Sequence, residues 1–271
     1  MDNLWSVASS MLSRHSASVR DDNTHPFLIS LISMDNNNEF RVMTSGAFTA
    51  AHLALMPRLA TLTGKTIITA STSVGTGETS IPNRLKRGEV VDIVIVAQDL
   101  LQQLARDGVV LNDGQQALAS SVIGLAVRAG APKPDVGTAD ALKRTLLAAK
   151  SIGYSASVSG QHLTTDIVQR LGIADQVLPK CKFIGGGERV GAVVARGELE
   201  LGFQQISELL PVPGIAHITP LPPELQKVSL FAAGVAAKCP DPAMARKVIQ
   251  FLASAECHEV IQSTGLEPLK A

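Results

Sequence analysis

Apolar and polar positions along the chain follow two alternating patterns from residue 41 onward. Short runs of β-branched and aliphatic residues predict strands at residues 40–43, 66–70, 90–97, 122–127, 151–154, 199–203 and 228–237. Apolar residues at helical spacing predict helices at residues 48–63, 99–107, 138–149, 163–171, 190–196 and 242–254, with one more between residues 77 and 88. This alternation is typical of α/β domains with mainly parallel sheets.

Two breaks in the alternation predict how the chain is divided. The Gly-Ala-Pro-Lys-Pro segment at residues 130–134 predicts the first crossing between two lobes, and the proline-rich stretch 211–223 predicts the crossing back. We therefore expect an extension or disordered tail over residues 1–40, a first lobe of residues 41–127 plus 226–271, and a second lobe of residues 128–225. Each lobe is predicted to be a mainly parallel sheet flanked by helices, with a ligand cleft between the lobes.

Composition narrows the choice of function. Hydrophobic residues make up 45% of the 271 residues, so the chain has enough apolar surface for a large core. The 24 Lys and Arg residues balance the 24 Asp and Glu residues, and aromatic residues are only 3%, which argues against a nucleic-acid partner. The three cysteines and six histidines show no metal-ligand spacing, so neither a metal nor another cofactor is expected.

The N-terminal residues bear on localisation. No apolar run approaches the ~18 residues of a membrane span, so membrane insertion is not predicted. Arg14 and Arg20 precede a short apolar stretch at residues 27–33, but polar residues 35–39 follow where a signal cleavage site would lie. The sequence as written therefore predicts a cytoplasmic protein. A true start elsewhere, for instance at Met34, would leave a periplasmic location open.

Four predicted strands are followed by small, hydroxyl-bearing or amide-bearing residues. The candidate ligand-binding residues are Ser45, Gly46 and Ala47, then Ser73, Gly75, Thr76 and Gly77, then Ser155, Ser157, Ser159 and Gly160, and finally Gln205. Ligands of open α/β sheets bind outside the carboxyl ends of the strands. Three of these loops also open helices, whose first N–H groups are unpaired and favour anions. Each serine is alternatively an ordinary helix cap, but the recurrence of such loops predicts a site for a small oxyanion or carboxylate.

Few titratable residues accompany these loops. The candidates for proton transfer are His162, Glu78, Tyr154 and Glu188, and each is alternatively a solvated or packing residue. Arg189 is a candidate for bidentate pairing with a ligand carboxylate. Asp92 lies within an apolar strand, where a buried acid usually bridges neighbouring backbone.

The order of these motifs resembles a known family. Ser45-Gly46-Ala47, residues 75–77 (GTG), the run RLKRGEVVDIVIVAQDLLQQLARDGVV at residues 84–110 and ARGELELGF at residues 195–203 resemble the molybdate-binding-protein-like extracellular solute-binding proteins. The resemblance implies a two-lobed, type II periplasmic-binding-protein-like fold and an ABC-transporter partner. It also implies that serines of the first two loops and backbone of the third hold the anion. A tyrosine of that family is replaced here by Gln205, and its second-loop serine pair by Thr76-Gly77.

Two phrases are similar to a narrower branch. FQQISELLP at residues 203–211 and PLPPELQ at residues 220–226 resemble a sub-branch that includes aconitate isomerases. That branch implies a tricarboxylate ligand and a proton shift without a metal. Two functions stay open: a binding protein that delivers a small anion to an ABC transporter, and a cofactor-free isomerase. The missing export signal favours the isomerase, and the absence of an evident catalytic constellation favours the binding protein, which we place narrowly ahead. A regulatory ligand-binding domain ranks last, because no helix-turn-helix pair is evident in the first forty residues.

Overall fold

The computed structural model describes residues 38–185 and 187–269, which form two sheets with helices packed on them. The strands are β1 (Glu39–Thr44), β2 (Thr66–Ser71), β3 (Ile93–Ala97), β4 (Gln116–Ser121), β5 (Ile123–Arg128), β6 (Ile152–Tyr154), β7 (Cys181–Phe183), β8 (Leu201–Gln205), β9 (Ile215–Pro220), β10 (Ser229–Val235) and β11 (Glu267–Pro268). The first sheet has the order β11-β4-β10-β3-β1-β2, and the second has the order β7-β6-β8-β5-β9.

The helices connect these strands. They are α1 (Gly46–Thr63), α2 (Ile81–Lys86), α3 (Gln98–Arg106), α4 (Ala139–Ala148), α5 (Val158–Gln161), α6 (Val168–Arg170), α7 (Ala174–Val177), α8 (Val190–Ala195), α9 (Ile206–Leu209), α10 (Pro242–Ala253) and α11 (Ala255–Ser263). Within the described residues, no helix is long and apolar enough to span a membrane.

The strand β3 shows how the first lobe is layered. Ile93 and Ile95 point to one face of the sheet, where they pack in a core with α1, α10 and α11. Val94 and Val96 point to the other face and pack with residues of α2 and α3. Successive side chains of a strand alternate between faces, so an unbroken apolar run such as β3 requires helices on both sides. This matches the prediction from residues 90–97.

Both sheets are mixed, which differs from the expectation of mainly parallel sheets. β1 runs parallel to β2 and β3, whereas β10 runs antiparallel to β3 and β4. In the second sheet β6 runs parallel to β7 and β8, whereas β5 runs antiparallel to β8 and β9. β4, β5, β9 and β10, which flank the crossings between the sheets, all form antiparallel pairs, and β11 pairs antiparallel with β4. The parallel halves carry the loops proposed as the anion site.

The first crossing lies earlier than predicted. β5 pairs with β8 and β9, so the chain leaves the first sheet at Val122 and residues 123–127 belong to the second lobe. Residues 130–134 instead form the connection from β5 to α4 within the second lobe, and Gly130 there has a φ of 82°. The apolar pattern of residues 122–127 is the same for a strand of either sheet, so periodicity alone does not assign it.

The return crossing also differs in detail. β9, an edge strand of the second sheet, occupies residues 215–220 inside the stretch predicted to cross back. The chain returns to the first sheet between Pro220 and Ser229. The predicted helix at residues 163–171 is largely a π-helical turn, His162–Ile167. Of the tail predicted over residues 1–40, residues 39 and 40 belong to β1, and residues 1–37 lie outside the described part of the chain.

Side-chain hydrogen bonds join the two crossings to each other. Gln226, on the returning crossing, accepts from the Ile123 N–H and donates to the Ile123 carbonyl, both at 2.9 Å. Gln205 Nε2 donates to Ser229 Oγ at 3.1 Å. The hinge between the lobes is therefore a hydrogen-bonded unit that includes the end of β8.

Candidate functional site

Ser45 ends β1 and caps α1, on the edge of the first sheet where β1, β2 and β3 finish. Its backbone is held on both sides, because its N–H donates to the Ile95 carbonyl at 2.8 Å and its carbonyl accepts from Phe48 N–H and Thr49 Oγ1. Its side chain makes no capping bond, and its hydroxyl is buried without a partner among the described residues. A buried, unpaired hydroxyl at a helix N-terminus is suited to donate to an anion.

The second loop presents a hydroxyl that the sequence analysis missed. Ser80 caps α2, is fully buried, and its Oγ lacks a partner within the described residues. The predicted residues Thr76 and Gly77 are exposed, and their carbonyls accept from the Asn83 side-chain amide at 2.9 and 3.1 Å. The carbonyls of Thr76 and Gly77 therefore stabilise the turn through Asn83. The buried hydroxyl of this loop that could donate to a ligand is that of Ser80.

The third loop holds a row of serine hydroxyls. Ser155 Oγ lies 2.9 Å from Ser157 Oγ, which in turn lies 2.9 Å from Ser159 Oγ. Gly160 follows, and its Cα faces the Ser155 carbonyl so closely that any side chain would collide with it. The glycine thus lets the chain fold back after β6 and keeps the predicted serines together.

Two contacts bring the lobes face to face. A Cβ placed on Gly75 of the second loop would lie 3.5 Å from the Ala156 Cβ of the third loop. A Cβ on Gly46, the first residue of α1, would collide with the carboxylate of Glu208 in α9. Residues of the first and second loops therefore lie close to residues of the second lobe.

Glu208 is the acidic group at this meeting point. Gln204 Nε2 donates to Glu208 Oε2 at 2.9 Å, while Gln204 Oε1 accepts from the Gly191 N–H at 3.1 Å. Burial raises the pKa of Glu208 to about 7, and the nearby charge of Arg189 opposes that rise. The described ion pairs do not include Arg189, which caps α8 at the surface.

Gln205 lies at the end of β8, beside the hinge. It is 2% exposed, and its Oε1 has no partner within the described part of the chain. Its Nε2 is taken by Ser229. Gln205, the residue predicted to replace a ligand-binding tyrosine, is thus buried next to the crossing. Its Oε1 is an acceptor without a partner among the described residues.

Two of the predicted acid–base residues are engaged in packing. His162 Nε2 lies 2.8 Å from the Leu225 carbonyl, to which it must donate, and Nδ1 lies 3.4 Å from Asp166 Oδ2. Tyr154 packs edge to face against Phe183, with ring centroids 5.8 Å apart. Both side chains belong to the second lobe, and their contacts connect its own elements.

The predicted acids Glu78 and Glu188 lie at the surface. The Glu78 side chain is exposed, and Glu188 pairs with Arg196 at 2.6 Å. Asp92 is structural, because its Oδ2 accepts from the Arg41 N–H at 2.7 Å and joins β1 to the start of β3. Among the titratable candidates, the structure brings Arg189 alone close to the acid in the cleft.

Sequence signals for the missed residues exist but are local and weak. Ser80 precedes Ile-Pro, and a serine ahead of a proline in the first helical turn marks a helix start. Glu208 and Gln204 stand in the phrase FQQISELLP, which suggests a strand followed by a short helix. The burial of Glu208 depends on α1 docking against α9, a long-range contact that local pattern does not reveal.

Across residues 38–185 and 187–269, no cluster of three or more His, Cys, Asp or Glu side chains is arranged to bind a metal ion.

Comparison with known proteins identifies the family. Residues 40–267 match the family of bacterial extracellular solute-binding proteins. The chain belongs to this family. An aconitate isomerase from a Pseudomonas species is 40% identical over 231 residues, which cover 85% of this chain and 88% of that protein.

Solved structures of solute-binding proteins share the fold. The periplasmic molybdate-binding protein of Azotobacter vinelandii superposes with a TM-score of 0.67 at 14% identity, covering 85% of this chain and 100% of that one. A sulfate-binding protein of Mycobacterium tuberculosis superposes with a TM-score of 0.67 at 15% identity, covering 86% and 88%. At identities of 14% and 15%, this likeness establishes the fold alone. This member of the solute-binding protein family has the two-lobed fold of periplasmic binding proteins.

Proposed function

We propose that this protein binds a tricarboxylate of the aconitate type in the cleft between its lobes and interconverts its isomers by a proton shift. The 40% identity to an aconitate isomerase, sustained over most of both chains, carries the proposal. This reverses the order of the two functions left open by the sequence, where the binding protein was favoured. The change is supported by the acidic group that the fold brings into the cleft.

The cleft has the electrostatics that a polyanion requires. The N-terminus of the 18-residue helix α1 supplies unpaired N–H groups and the positive end of its dipole. Ser45 and Ser80 supply buried neutral donors, and Arg189 supplies a positive charge without an ion-pair partner among the described residues. Together they suit several carboxylates better than one small oxyanion, because the donors come from separate loops.

The reaction requires little beyond binding and one proton carrier. Aconitate is a propene tricarboxylate, so the protons of its methylene carbon are activated by an adjacent carboxylate and by the double bond. Removing one leaves an allylic carbanion, and returning a proton to the former vinylic carbon moves the double bond by one position. Electrons and atoms balance without an oxidant or a reductant.

A receptor for transport is the second candidate. The solved relatives by fold include molybdate- and sulfate-binding proteins, and such a receptor would deliver its anion to an ABC transporter outside the cytoplasm. The serine row of the third loop also suits an oxyanion, since neutral hydroxyls can surround one without adding charge.

A ligand panel followed by a turnover assay tests both candidates. The panel is molybdate, tungstate, sulfate, phosphate, citrate, cis-aconitate and trans-aconitate. A ligand at a hundredfold excess over its Kd stabilises by about 2.7 kcal/mol, a Tm rise of roughly 5–10 °C for a chain of this size. We expect the aconitates to raise the Tm and proton NMR to show conversion of either isomer into the equilibrium mixture. A Tm rise with molybdate or sulfate alone would instead establish the oxyanion receptor.

A further inference from the structure

Glu208 lies where a substrate bound between the lobes would meet both of them. Its helix α9 directly follows β8 at the hinge, and α9 packs against α1 of the opposite lobe. The Glu208 carboxylate touches Gly46 in the first turn of α1, beside the unpaired Ser45 hydroxyl. An acid–base group at this point reaches the end of the cleft where the anion-binding donors of α1 converge.

The orientation of the Glu208 carboxylate is fixed by Gln204. The Gly191 N–H is a donor, so the Gln204 atom facing it must be the carbonyl oxygen and the amino group must face Glu208. Glu208 Oε2 therefore accepts one hydrogen bond, while Oε1 receives none from the described residues. Oε2 is therefore the oxygen that lies between Gln204 and Gly46 of α1, and Oε1 is the oxygen left without a protein partner in the described residues.

The other acid–base candidates lack this geometry. His162 and Tyr154 are held within the second lobe, Glu188 is paired with Arg196, and Asp92 bonds backbone between two strands. Glu78 is exposed at the surface. Among these candidates, Glu208 is the one that contacts both lobes, has an oxygen atom without a hydrogen-bond partner in the described residues and is partly buried.

We propose that Glu208 is the catalytic residue that carries the proton between the two carbon atoms of the substrate, an inference that rests on the isomerase function proposed above. Its carboxylate takes the proton from the methylene carbon and forms a carboxylic acid. The C–H electron pair delocalises over the allylic system into the neighbouring carboxylates. The same carboxylic acid then donates the proton to the former vinylic carbon, which regenerates the carboxylate.

The surroundings of Glu208 suit both halves of this cycle. Burial raises the pKa of its carboxyl to about 7, so acid and base forms are both populated near neutral pH. Arg189, at the cap of α8, opposes the rise in pKa. The first turn of α1 contains no acidic residue, and β8 contributes the neutral amides Gln204 and Gln205. His217 on β9 and Arg128 on β5 are the titratable side chains of the other strands near α9, and both are exposed.

The experiment compares the full-length wild type with Glu208→Gln, Glu208→Asp and the matched control Glu259→Gln, which makes the same change on the exposed face of α11. Initial rates are measured with cis- and trans-aconitate across pH 5–9, and binding is measured by thermal shift. We expect Glu208→Gln to lower kcat by at least 100-fold, to keep binding aconitate, and to lose the rise of kcat/KM through pH 7. Glu208→Asp is expected to retain part of the activity, and Glu259→Gln all of it.

Each outcome separates this inference from the proposed function. Wild-type turnover together with near-normal kcat in Glu208→Gln would overturn the assignment of Glu208 and leave the isomerase function standing. Binding of aconitate without wild-type turnover would overturn the isomerase function and this inference with it. If Glu208→Gln does not fold, a Glu208→Asp enzyme with unchanged kcat and pH profile would contradict the role of Glu208. The reaction is also run in D₂O. A product that contains no deuterium would support direct transfer of the substrate proton from one carbon to the other, without exchange of that proton with solvent.

Discussion

Single polar atoms buried without partners mark this cleft. The hydroxyls of Ser45 and Ser80 and the Oε1 of Gln205 are all buried and unpaired among the described residues. Leaving a buried polar group without a partner costs roughly 1–3 kcal/mol, so such groups are rare in folded proteins. His52 Nδ1 and His258 Nε2 are also buried without partners in the described residues, so it is the position of the three atoms, at the ends of β1 and β8 and in the second loop, that supports the proposed ligand site.

Glu208 makes the stability of the protein depend on pH in a defined direction. Its pKa in the folded state is about 7, against 4.5 in the unfolded chain, so the folded protein binds this proton more tightly. The stabilisation is fully present below pH 4.5 and is lost as the pH rises through 7. We expect Glu208→Gln to remove this loss, which is on the order of 2 kcal/mol or roughly 4–8 °C in Tm.

Thermal unfolding of the wild type, Glu208→Gln and Glu259→Gln between pH 4.5 and 8.5 measures the effect. The Tm of the wild type and of Glu259→Gln should fall relative to that of Glu208→Gln as the pH increases. Parallel profiles for all three proteins would mean that Glu208 has an ordinary pKa in the folded state.

At the scale of elements, two N-terminal caps of the first lobe serve different purposes. Asp241 caps α10 conventionally, because its Oδ1 accepts from the Met244 N–H at 3.0 Å. Ser45 stands at the same position of α1, but its hydroxyl makes no such bond. The Asp241 side chain therefore stabilises its helix by a capping bond, while the Ser45 side chain makes no such bond.

A pair of alanine variants distinguishes these two caps. Asp241→Ala is expected to lower the free energy of unfolding by about 1 kcal/mol and to leave ligand affinity unchanged. Ser45→Ala is expected to change stability by less than about 0.5 kcal/mol but to weaken binding of aconitate by about 10- to 100-fold, since it removes a bond to a charged group. Chemical denaturation and calorimetric titration of both variants give the comparison. Equal effects on stability would mean that Ser45 acts as an ordinary cap.

Local pattern predicted the elements far better than their pairing. α1 was predicted from the helical spacing of Leu53, Met56, Leu59 and Leu62 and from Gly64 at its end, all of it local information, although Leu53 is 50% exposed and the buried face includes Leu55 instead. β4 was missed because its sequence, QALASS, lacks the β-branched residues that identify strands. β9 was missed because prolines surround it, and an edge strand tolerates them. The first and third loops were predicted as anion sites from their serines, whereas Glu208 needed the packing of α9 on α1.

The whole molecule is organised around a narrow hinge. Gln226 bonds both backbone groups of Ile123, and the Leu221 N–H also donates to the Ile123 carbonyl, so hydrogen bonds link the outgoing and returning crossings. Closure of two lobes on a ligand requires these crossings to bend together while their pairing persists. The hinge thus couples the positions of the loops on either side of the cleft.

Removing this link tests the coupling. Gln226→Ala should lower the free energy of unfolding by about 1–3 kcal/mol, because the N–H groups of Ile123 and Lys227 lose their acceptor, while the Ile123 carbonyl keeps its bond from the Leu221 N–H. It should also reduce the contraction of the radius of gyration that we expect when aconitate is added, as measured by small-angle X-ray scattering. Gln262→Ala, on the exposed surface of α11, is the matched control. A full contraction in Gln226→Ala would show that the hinge closes without this side chain.

The insertion of β10 between β3 and β4 sets an order for biosynthesis. The strands of the second sheet occupy one continuous stretch, residues 123–220, and are complete before β10 leaves the ribosome. The first sheet lacks its middle strand until residue 235 has been made, so β3 and β4 each present an unpaired edge while the second lobe can already fold. The lobe that contains β1 is therefore completed after the second lobe. During synthesis its open strand edges are the surfaces most in need of protection by chaperones.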